Sequence, residues 1–564
     1  MSSPTKEALV PEAADPPDPK RWLALVVVIT ASFMDLLDVT IVNVAVPSIQ
    51  SDLGASYAAV QWVTAGYTLG FAAGLITGGR LGDIYGRRRM LILGITGFTI
   101  ASLLCGVATS PGMLITARLV QGIASAVMIP QVIAIIHVTF PAHERGKVLG
   151  VYGAIGGLAL VSGPILGGIF IDADLFGLDW RPIFLVNVPI GILGIFTALA
   201  VIRESKSPNP MRPDVVGVIL ASATIGMFVY PLVQGHELDW PAWAFVMLAG
   251  SLVLFVVFIA YERMLTARGG SPLIVLSLFN SRSFTGGFSV NLLFNVGFGA
   301  FFLMWTLFMQ IGLGWSAIHA GLTGIPFFVG MAAAAGMAVQ MLTPKFGRNV
   351  LFAGGFLMIL GSLLFVFVSD RYGTDISSAH MIAPLFVIGL GMGYVIATVI
   401  DFALSDVPHE HAGAGSGAFN TTQQLGNSVG IAIIGVIFLS ALPGQSSAGV
   451  DFAEPGIRQD FAAVGITEQV QDDILAGYRV CAEERAEETD PTVVPESCLA
   501  GPPSGVSAAQ AADVERIIQE HTPDVQAETF SRAFRIGMYA IAGLFVLVTL
   551  LMVMMPKFAR PQEV

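Results

Sequence analysis

Two carboxylates lie inside an otherwise apolar stretch near the start of the chain. Asp35 and Asp38 are three positions apart, so on a helix they share one face. If this stretch crosses a membrane as a helix, Asp35 lies roughly 20 Å from its inner end. A carboxylate at such depth costs on the order of 2.5 to 3.5 kcal/mol to insert and should face a cavity or a partner. A structural ion pair and a site that binds protons or cations would both meet this requirement.

A later apolar stretch supplies a partner of opposite charge. Arg118 lies about six residues into it, or roughly 9 Å deep on a helix, and Asp38 should lie at a similar depth. A nearby guanidinium favours the ionised carboxylate whereas burial opposes it, and a proton carrier depends on this competition. We therefore expect one of the two aspartates to load a proton and Arg118 to tune it. The sequence leaves open whether Asp35 or Asp38 is the carrier.

A glycine-rich charged segment, residues 78–89, is predicted as the loop after the second apolar run. Gly79 and Gly86 permit a tight turn and a close approach of helices, and Asp83 with Arg87 can clamp neighbouring helix ends. Anchoring by positive charge on the cytoplasmic side would explain the arginines alone. We favour a conformational latch formed by these four residues.

A second glycine cluster lies in the fifth apolar run. It contains Gly163, Pro164, Gly167 and Gly168. Small residues let membrane helices pack closely, and Gly-Pro provides a kink where alternating access requires bending. Close packing alone is the alternative explanation.

Uncharged amides recur within the apolar runs. At such depth they either bond between helices or line a wet cavity, and the sequence does not distinguish the two. The candidates for cavity lining are Asn43, Gln121, Asn291, Asn295, Asn420 and Gln424.

These residues belong to a chain that is mostly apolar. Only 12% of its 564 residues are charged and 54% are hydrophobic, which excludes an ordinary water-soluble domain. Apolar runs of about 20 residues, enough to cross a bilayer, recur along it. Fourteen membrane helices are predicted near residues 22–46, 59–79, 90–109, 112–135, 148–171, 183–202, 214–233, 243–262, 284–311, 316–341, 349–368, 381–402, 414–441 and 534–555.

The placement of basic residues predicts the orientation. Most of the 28 Lys and Arg lie on cytoplasmic segments if the N-terminus is inside, and an even number of helices returns the C-terminus to the same side. We expect a multi-pass protein of the inner (cytoplasmic) membrane with both termini cytoplasmic. The predicted regions are a tail at 1–21, a six-helix bundle at 22–202, two inserted helices with linkers at 203–283, helices 9 to 13 at 284–441, an extracytoplasmic loop at 442–533, a last helix at 534–555 and a tail at 556–564.

The loop at 442–533 is acidic and carries nearly all of the formal net charge of −12. The membrane body is therefore close to neutral, and the acidic composition does not indicate a basic partner. Residues 457–488 and 508–534 are predicted to be helical. Cys481 and Cys498 lie in this loop, where an oxidising compartment would permit a disulfide, although two free thiols remain an alternative.

Short motifs recur in the two halves of the chain. Tyr85-Gly86-Arg87 is echoed by Phe346-Gly347-Arg348 with an offset of 261 residues. The segment at 141–146 is echoed at 408–413 with a similar offset of 267. Helices 1 to 6 therefore correspond to helices 9 to 14, and helices 7 and 8 are an insert between two six-helix halves.

The chain resembles the fourteen-helix drug:proton antiporter family of the major facilitator superfamily over about residues 22–441 and the last helix. The motifs that carry the resemblance are residues 37–47, the superfamily loop at 79–89, Arg118 with Gln121 and Gly122, the antiporter signature at 162–168, and residues 180–191. The departures are an additional acidic residue, Asp35, Ala159 in place of a signature glycine, and the long acidic loop.

The resemblance implies an all-α integral membrane protein with the major facilitator fold, in which two six-helix bundles flank a central cavity. It also implies that Asp38 takes part in cation recognition or proton exchange, that Arg118 is the coupling arginine, and that Gly163, Pro164, Gly167 and Gly168 form the antiporter signature. The expected partners are an amphipathic small molecule, protons and the lipid bilayer, with no nucleic acid and with the protein as a monomer.

The function expected from these observations is proton-coupled export of amphipathic or cationic drugs and toxic compounds by alternating access. Export of an endogenous lipid, siderophore or secondary metabolite is the main alternative. A membrane sensor or assembly scaffold that acts through the acidic loop is the second. The sequence offers no nucleotide-binding loop, metal cluster or activated nucleophile, so neither an enzyme nor a cofactor is expected.

Overall fold

A computed structural model describes residues 19–207, 212–235, 238–407, 412–488, 494–499 and 506–558. Throughout these residues the secondary structure is helical, without β-strands. The N-terminal tail at 1–18, the echo motif at 408–411 and the last residues, 559–564, lie outside the described residues.

Fourteen helices within the described residues are long and apolar enough to cross a membrane. We number them helix 1 to helix 14 in chain order. Their bounds are Arg21–Leu53, Tyr57–Tyr85, Arg87–Gly106, Pro111–Thr139, Gly150–Asp172, Pro182–Val201, Val215–Gln234, Ala242–Ala267, Arg282–Gly312, Ala317–Phe346, Asn349–Asp375, Ser378–Leu404, Gly415–Ala463 and Gln510–Met554. The prediction of an all-α membrane protein with fourteen spans is confirmed.

The helix ends follow from local chemistry. Ser56 caps helix 2 by accepting a hydrogen bond from the amide of Ala59, and Ser110 caps helix 4 in the same way ahead of Pro111. Helix 1 ends at Gly54, whose left-handed backbone (φ 58°) is accessible to glycine at little cost. Short connections of this kind join antiparallel neighbours.

The packing of the helices repeats between the two halves. In the first half, helix 2 packs on helix 4, helix 3 on helices 4 and 6, and helix 1 on helix 5. In the second half, helix 10 packs on helix 12, helix 11 on helices 12 and 14, and helix 9 on helix 13. Each packed pair of the first half recurs in the second half with both helix numbers increased by eight. This repeat confirms the prediction of two six-helix bundles and two inserted helices.

Glycines bring helices 2 and 4 unusually close. A Cβ added at Gly78 would lie 2.1 Å from the carbonyl oxygen of Ala126, and one added at Gly122 would lie 2.1 Å from that of Tyr67. Only glycine allows this backbone approach in a membrane bundle. The polar side chains of these two helices are thereby held next to helix 1.

The segment predicted as a loop between helices 2 and 3 proves to be a break of one residue. Helix 2 continues to Tyr85, helix 3 begins at Arg87, and Gly86 between them has φ 117°. The loop prediction was wrong because charged side chains do not end a helix when they find partners. Arg80, for example, stays helical and donates hydrogen bonds to backbone carbonyls of Arg212, Ser271 and Pro272.

The described part of the acidic segment 442–533 folds onto the ends of the bundle, and we call it the outer cap after the extracytoplasmic side that the sequence predicts for it. The helix that contains helix 13 continues without a break over Ala412–Ala463. Helix 14 lies in the α-helix that begins at Ala508 and ends at Leu551, and in the 3-10 turn Met552–Met554 that follows it. A separate helix, Glu468–Glu487, packs against both extensions through an apolar core that includes Ile457, Phe461 and Leu475.

The outer cap differs from prediction in two respects. Helix 13 does not end at residue 441, because its buried face extends into the cap and packs there in the apolar core. The helix predicted at 457–488 is interrupted after Ala463, where Gly465 adopts φ 77°. Cys481 and Cys498 are joined by a disulfide that ties residues 494–499 to the cap helix.

Candidate functional site

Asp38 and Arg118 form an ion pair in the interior of the first bundle. Their side chains are 0% and 1% exposed, and Arg118 Nη1 donates to Asp38 Oδ2. The pair brings helices 1 and 4 together at one depth, as the sequence predicts. Each partner compensates a charge that would otherwise be buried alone.

The remaining hydrogen bonds of this pair come from helix 4 itself and from two further helices, helix 2 and helix 6. Gln121 Nε2 donates to Asp38 Oδ1 at 2.8 Å, and Asn187 Nδ2 donates to the same oxygen at 3.3 Å. Arg118 Nε donates to the carbonyl oxygen of Val63 at 3.0 Å. The guanidinium also lies 4.4 Å from the centroid of the Tyr67 ring. Asp38 is thus held by three donor side chains, all of them buried.

Asp35 is bound in a different way. It is 4% exposed and accepts hydrogen bonds at Oδ1 from the hydroxyls of Tyr67 and Ser125. Both donors are neutral, and they come from helices 2 and 4. The two aspartates of helix 1 therefore lie side by side with different partners, one with a cation and one with hydroxyls.

The sequence predicted Asp35, Asp38, Arg118 and Gln121 as site residues, but it did not predict three residues that bond to the two aspartates. Tyr67, Ser125 and Asn187 are fully buried polar groups in apolar helices. An intramembrane polar residue is a functional candidate by default, so this criterion applied to every helix would have found them. Their pairing with particular aspartates required the tertiary structure.

The proposed latch residues link the ends of helices 2, 3 and 6. Arg87 Nη2 donates to Asp83 Oδ1 at 2.9 Å across Gly86. The carboxylate of Glu204 accepts the backbone amides of Arg88 and Arg89 at 3.1 and 3.2 Å, which places a negative charge at the start of helix 3. Glu204 was not predicted.

Among the glycines of this segment, Gly79 is not the one that brings helices together. A Cβ there would make an ordinary 3.6 Å contact with Pro130, whereas one at Gly82 would lie 1.9 Å from Gln131 Oε1. The close approach of the backbones therefore depends on Gly78, whereas Gly82 leaves room for the Gln131 side chain. Gly86 serves the turn through its positive φ.

The glycines of helix 5 contact both halves of the protein. A Cβ at Gly163 would lie 1.9 Å from Thr40 Oγ1 of helix 1, and one at Gly167 would lie 3.0 Å from Ile41 of the same helix. One at Gly168 would lie 2.4 Å from the Cα of Ile318 in helix 10. Pro164 meets helix 10 as well, because a Cβ at Gly321 would lie 2.5 Å from its carbonyl oxygen.

The amides have varied environments. Asn291 Nδ2 donates to the carbonyl oxygen of Phe419 across helices 9 and 13, and Asn295 Nδ2 donates to the side chain and backbone of Asn291. Asn43 is half-buried and bonds to its own helix, and Asn420 is exposed. The Oε1 atom of Gln424 is buried without a hydrogen-bond partner.

Two cavities adjoin these elements. One, of about 1210 Å³, lies between the ends of helices 1, 2, 9, 13 and 14 and the outer cap, and its wall includes Asp473, Arg485 and Glu515. The other, of about 620 Å³, is lateral and almost wholly apolar, and it is enclosed by helices 2, 7, 8, 9, 13 and 14. We call them the outer vestibule and the lateral cavity.

The chain is similar to known membrane transporters. The family model described as Major Facilitator Superfamily matches residues 28–212 and 195–431. The chain is 44% identical to a probable actinorhodin transporter of Streptomyces coelicolor, over 86% of this chain and 84% of that protein. It is 32% identical to the puromycin resistance protein pur8 of Streptomyces alboniger, over 76% of this chain and 84% of that protein.

The fold also matches a solved structure. A bacterial homolog of the human lysosomal transporter Spinster, in an inward-facing and occupied conformation, superposes with a TM-score of 0.57 at 14% identity, covering 95% of this chain and 97% of that one. At this identity the similarity concerns the fold alone.

Proposed function

Because the chain belongs to the Major Facilitator Superfamily, we propose that it exports amphipathic, drug-like molecules across the cytoplasmic membrane in exchange for protons. In this proposal both termini are cytoplasmic, and the outer cap lies on the opposite side of the membrane. The observation that carries proton coupling is the pair of buried aspartates on helix 1, one bonded to Arg118 and one to neutral hydroxyls.

The different partners of the aspartates support a division of roles. Asp38 accepts hydrogen bonds from Arg118, Gln121 and Asn187, so both of its oxygens are bonded and the guanidinium is its partner of opposite charge. Asp35 has only hydroxyl donors and lies beside Asp38, so a proton is most easily accommodated there. We assign proton loading to Asp35 and the fixed ion pair to Asp38 and Arg118.

Alternating access requires the two bundles to part on one side of the membrane at a time. Contacts near the outer ends of helices 1, 5, 9 and 10 support a state closed on the side of the cap. Gln310 Nε2 of helix 9 donates to the carbonyl oxygen of Val44 at 2.9 Å, and Gly168 packs on Ile318. In our proposal these contacts break when the protein releases its cargo outward.

The proposal predicts gradient-driven movement of ethidium in proteoliposomes. We expect an imposed pH gradient to drive ethidium transport by the wild type. Asp35→Asn should retain ethidium exchange but lose its dependence on the gradient, because asparagine still accepts the Tyr67 and Ser125 hydrogen bonds but cannot load a proton. Transport and its pH dependence would be measured together by ethidium fluorescence.

Asp375→Asn is the matched control, since it removes an exposed carboxylate at the end of helix 11. It should behave as the wild type. Transport by the wild type that ignores the gradient would refute proton coupling. If Asp35→Asn retains gradient-driven transport and Asp38→Asn loses it, Asp38 rather than Asp35 is the residue that carries the proton.

Export of an endogenous secondary metabolite is the second candidate. It is favoured by the names of the relatives, since a probable actinorhodin transporter and a puromycin resistance protein, both from Streptomyces species, are each named for a single compound. If the folded wild type moves actinorhodin but does not move ethidium, this candidate would be favoured over broad drug export.

A sensor or scaffold that acts through the acidic segment would lose its function when the outer cap is removed, whereas the proposed transporter would not. Replacing residues 466–507 with a short Gly-Ser linker is feasible because Gln510 Nε2 donates to the carbonyl oxygen of Gly465 at 3.4 Å, so the cut ends are adjacent. We expect the variant to retain at least part of the ethidium transport. Complete loss of transport in a correctly folded variant would contradict a cap that is accessory to the transport cycle.

A further inference from the structure

A second buried polar cluster lies where helix 7 begins and helix 8 ends, apart from the aspartates of helix 1. It contains Arg80 of helix 2, Asp214 at the cap of helix 7, and Tyr261 and Glu262 of helix 8. Asp214 is 5% exposed and Glu262 is 0% exposed. Two carboxyl groups are thus removed from water in the inserted helices, and the proposed transport function uses neither of them.

The two carboxyl groups receive very different numbers of hydrogen bonds. Asp214 Oδ1 accepts from the Gly217 amide at 2.8 Å and from the Tyr261 hydroxyl at 2.9 Å, and Oδ2 accepts from the Leu273 amide at 3.2 Å. Glu262 Oε2 accepts one long hydrogen bond, from the Ile274 amide at 3.4 Å. Glu262 Oε1 is buried and has no hydrogen-bond partner among the residues that the structure describes.

The unpartnered oxygen of Glu262 lies beside Asp214. A Cβ placed on Gly217 would be 2.3 Å from Asp214 Oδ2 and 2.6 Å from Glu262 Oε1, so the two oxygens are less than about 5 Å apart. Two ionised carboxylates this close and this buried would repel strongly.

Within the described part of the chain, Arg80 is the cation that faces the cluster, and it does not relieve this repulsion by direct bonding to either carboxyl group. Arg80 donates through Nη1 to the carbonyl oxygens of Arg212 and Ser271, at 3.0 and 3.1 Å, and through Nη2 to that of Pro272. Its single positive charge balances one carboxylate. Among the described residues that pack around the cluster, no second cation balances the other carboxylate. Tyr261 contributes only a neutral hydroxyl.

We propose that Glu262 binds a proton on Oε1 and donates it to Asp214 Oδ2, which makes this carboxyl pair a second proton-binding site of the protein. Asp214, with three donors, carries the negative charge that Arg80 balances, and Glu262 is neutral. Every buried oxygen of the pair then has a partner, as buried polar groups require.

The proton would join helix 8 to the first turn of helix 7. The segment that closes the cluster includes Leu273 and Ile274, which also line the lateral cavity. Loss of the proton leaves two adjacent negative charges, which push helix 8 away from helix 7 beside that cavity. The inference does not depend on the proposed drug export, because it concerns a proton bound in the resting protein.

Infrared difference spectroscopy of the full-length protein in lipid nanodiscs tests the site directly. At neutral pH the wild-type spectrum minus that of Glu262→Gln should contain the carbonyl stretch of a protonated carboxylic acid, and this band should shift in D₂O. Asp375→Asn, which removes an exposed carboxylate, should leave the band in place. A difference spectrum with only ionised carboxylate bands would overturn the proposal.

Two further measurements test the proposal even if one of the variants fails to fold. In Asp214→Asn the new amide can donate to Glu262 and Arg80 loses its anion, so Glu262 should ionise and the acid band should vanish. Glu262→Gln imitates the protonated acid, so its melting temperature should exceed that of the wild type increasingly as the pH rises. A constant difference across pH, or a band that survives Asp214→Asn, would contradict the shared proton.

Discussion

Arg118→Ala should destabilise the protein by about 3 to 5 kcal/mol, the usual cost of removing one partner from a buried ion pair. The substitution leaves the Asp38 carboxyl group at 0% exposure without its cation, and with Gln121 and Asn187 as its remaining side-chain donors among the described residues. It also removes the hydrogen bond to the Val63 carbonyl oxygen that ties helix 4 to helix 2. Denaturation of the purified protein in mixed detergent micelles would measure the change in free energy of unfolding.

A second substitution distinguishes lost charge compensation from lost packing. Asp38→Asn in the Arg118→Ala background removes the uncompensated charge and should recover a substantial part of the stability. Arg181→Ala is the matched control, because Arg181 pairs with Asp52 at 2.9 Å but both side chains are partly exposed. Its cost should be about 0 to 1 kcal/mol. Equal losses in the two arginine variants would argue against a buried, tightly coupled pair.

Gly168→Val should shift the protein toward the state that is open on the side of the outer cap. The added Cβ would lie 2.4 Å from the Cα of Ile318 and 2.7 Å from its backbone nitrogen, so no rotamer change relieves the clash. Overpacking of this kind costs about 1 to 3 kcal/mol, which corresponds to roughly a 5- to 150-fold change in a conformational equilibrium. We expect ethidium transport to fall by a factor in this range.

The change in conformation can be measured without transport. Spin labels on Ala173 and Leu322, at neighbouring ends of helices 5 and 10, should show a longer distance in Gly168→Val than in the wild type. Gly153→Val is the matched control on the same helix, since a Cβ there meets nothing within 4 Å. If both valine variants lengthen the distance equally, helix propensity rather than the contact between bundles is responsible.

The sequence alone determined the membrane architecture and one half of the site. Fourteen apolar runs predict fourteen helices because a helix is the simplest way to satisfy every backbone polar group in lipid. Asp38 and Arg118 could be paired from depth alone, since two opposite charges buried at one level of a bundle are far more stable together than apart. The repeated motifs likewise indicated two halves and an insert.

The tertiary structure alone decided which polar groups meet. Tyr67 and Ser125 lie 32 and 90 residues from Asp35 in the chain, and their hydrogen bonds to it depend on the close packing of helices 2 and 4 on helix 1. Asp214 and Glu262 become neighbours only when helices 7 and 8 fold against each other. Hydrophobic length is a local property that sequence records, whereas the partner of a buried charge depends on rotation and depth of whole helices, which packing sets.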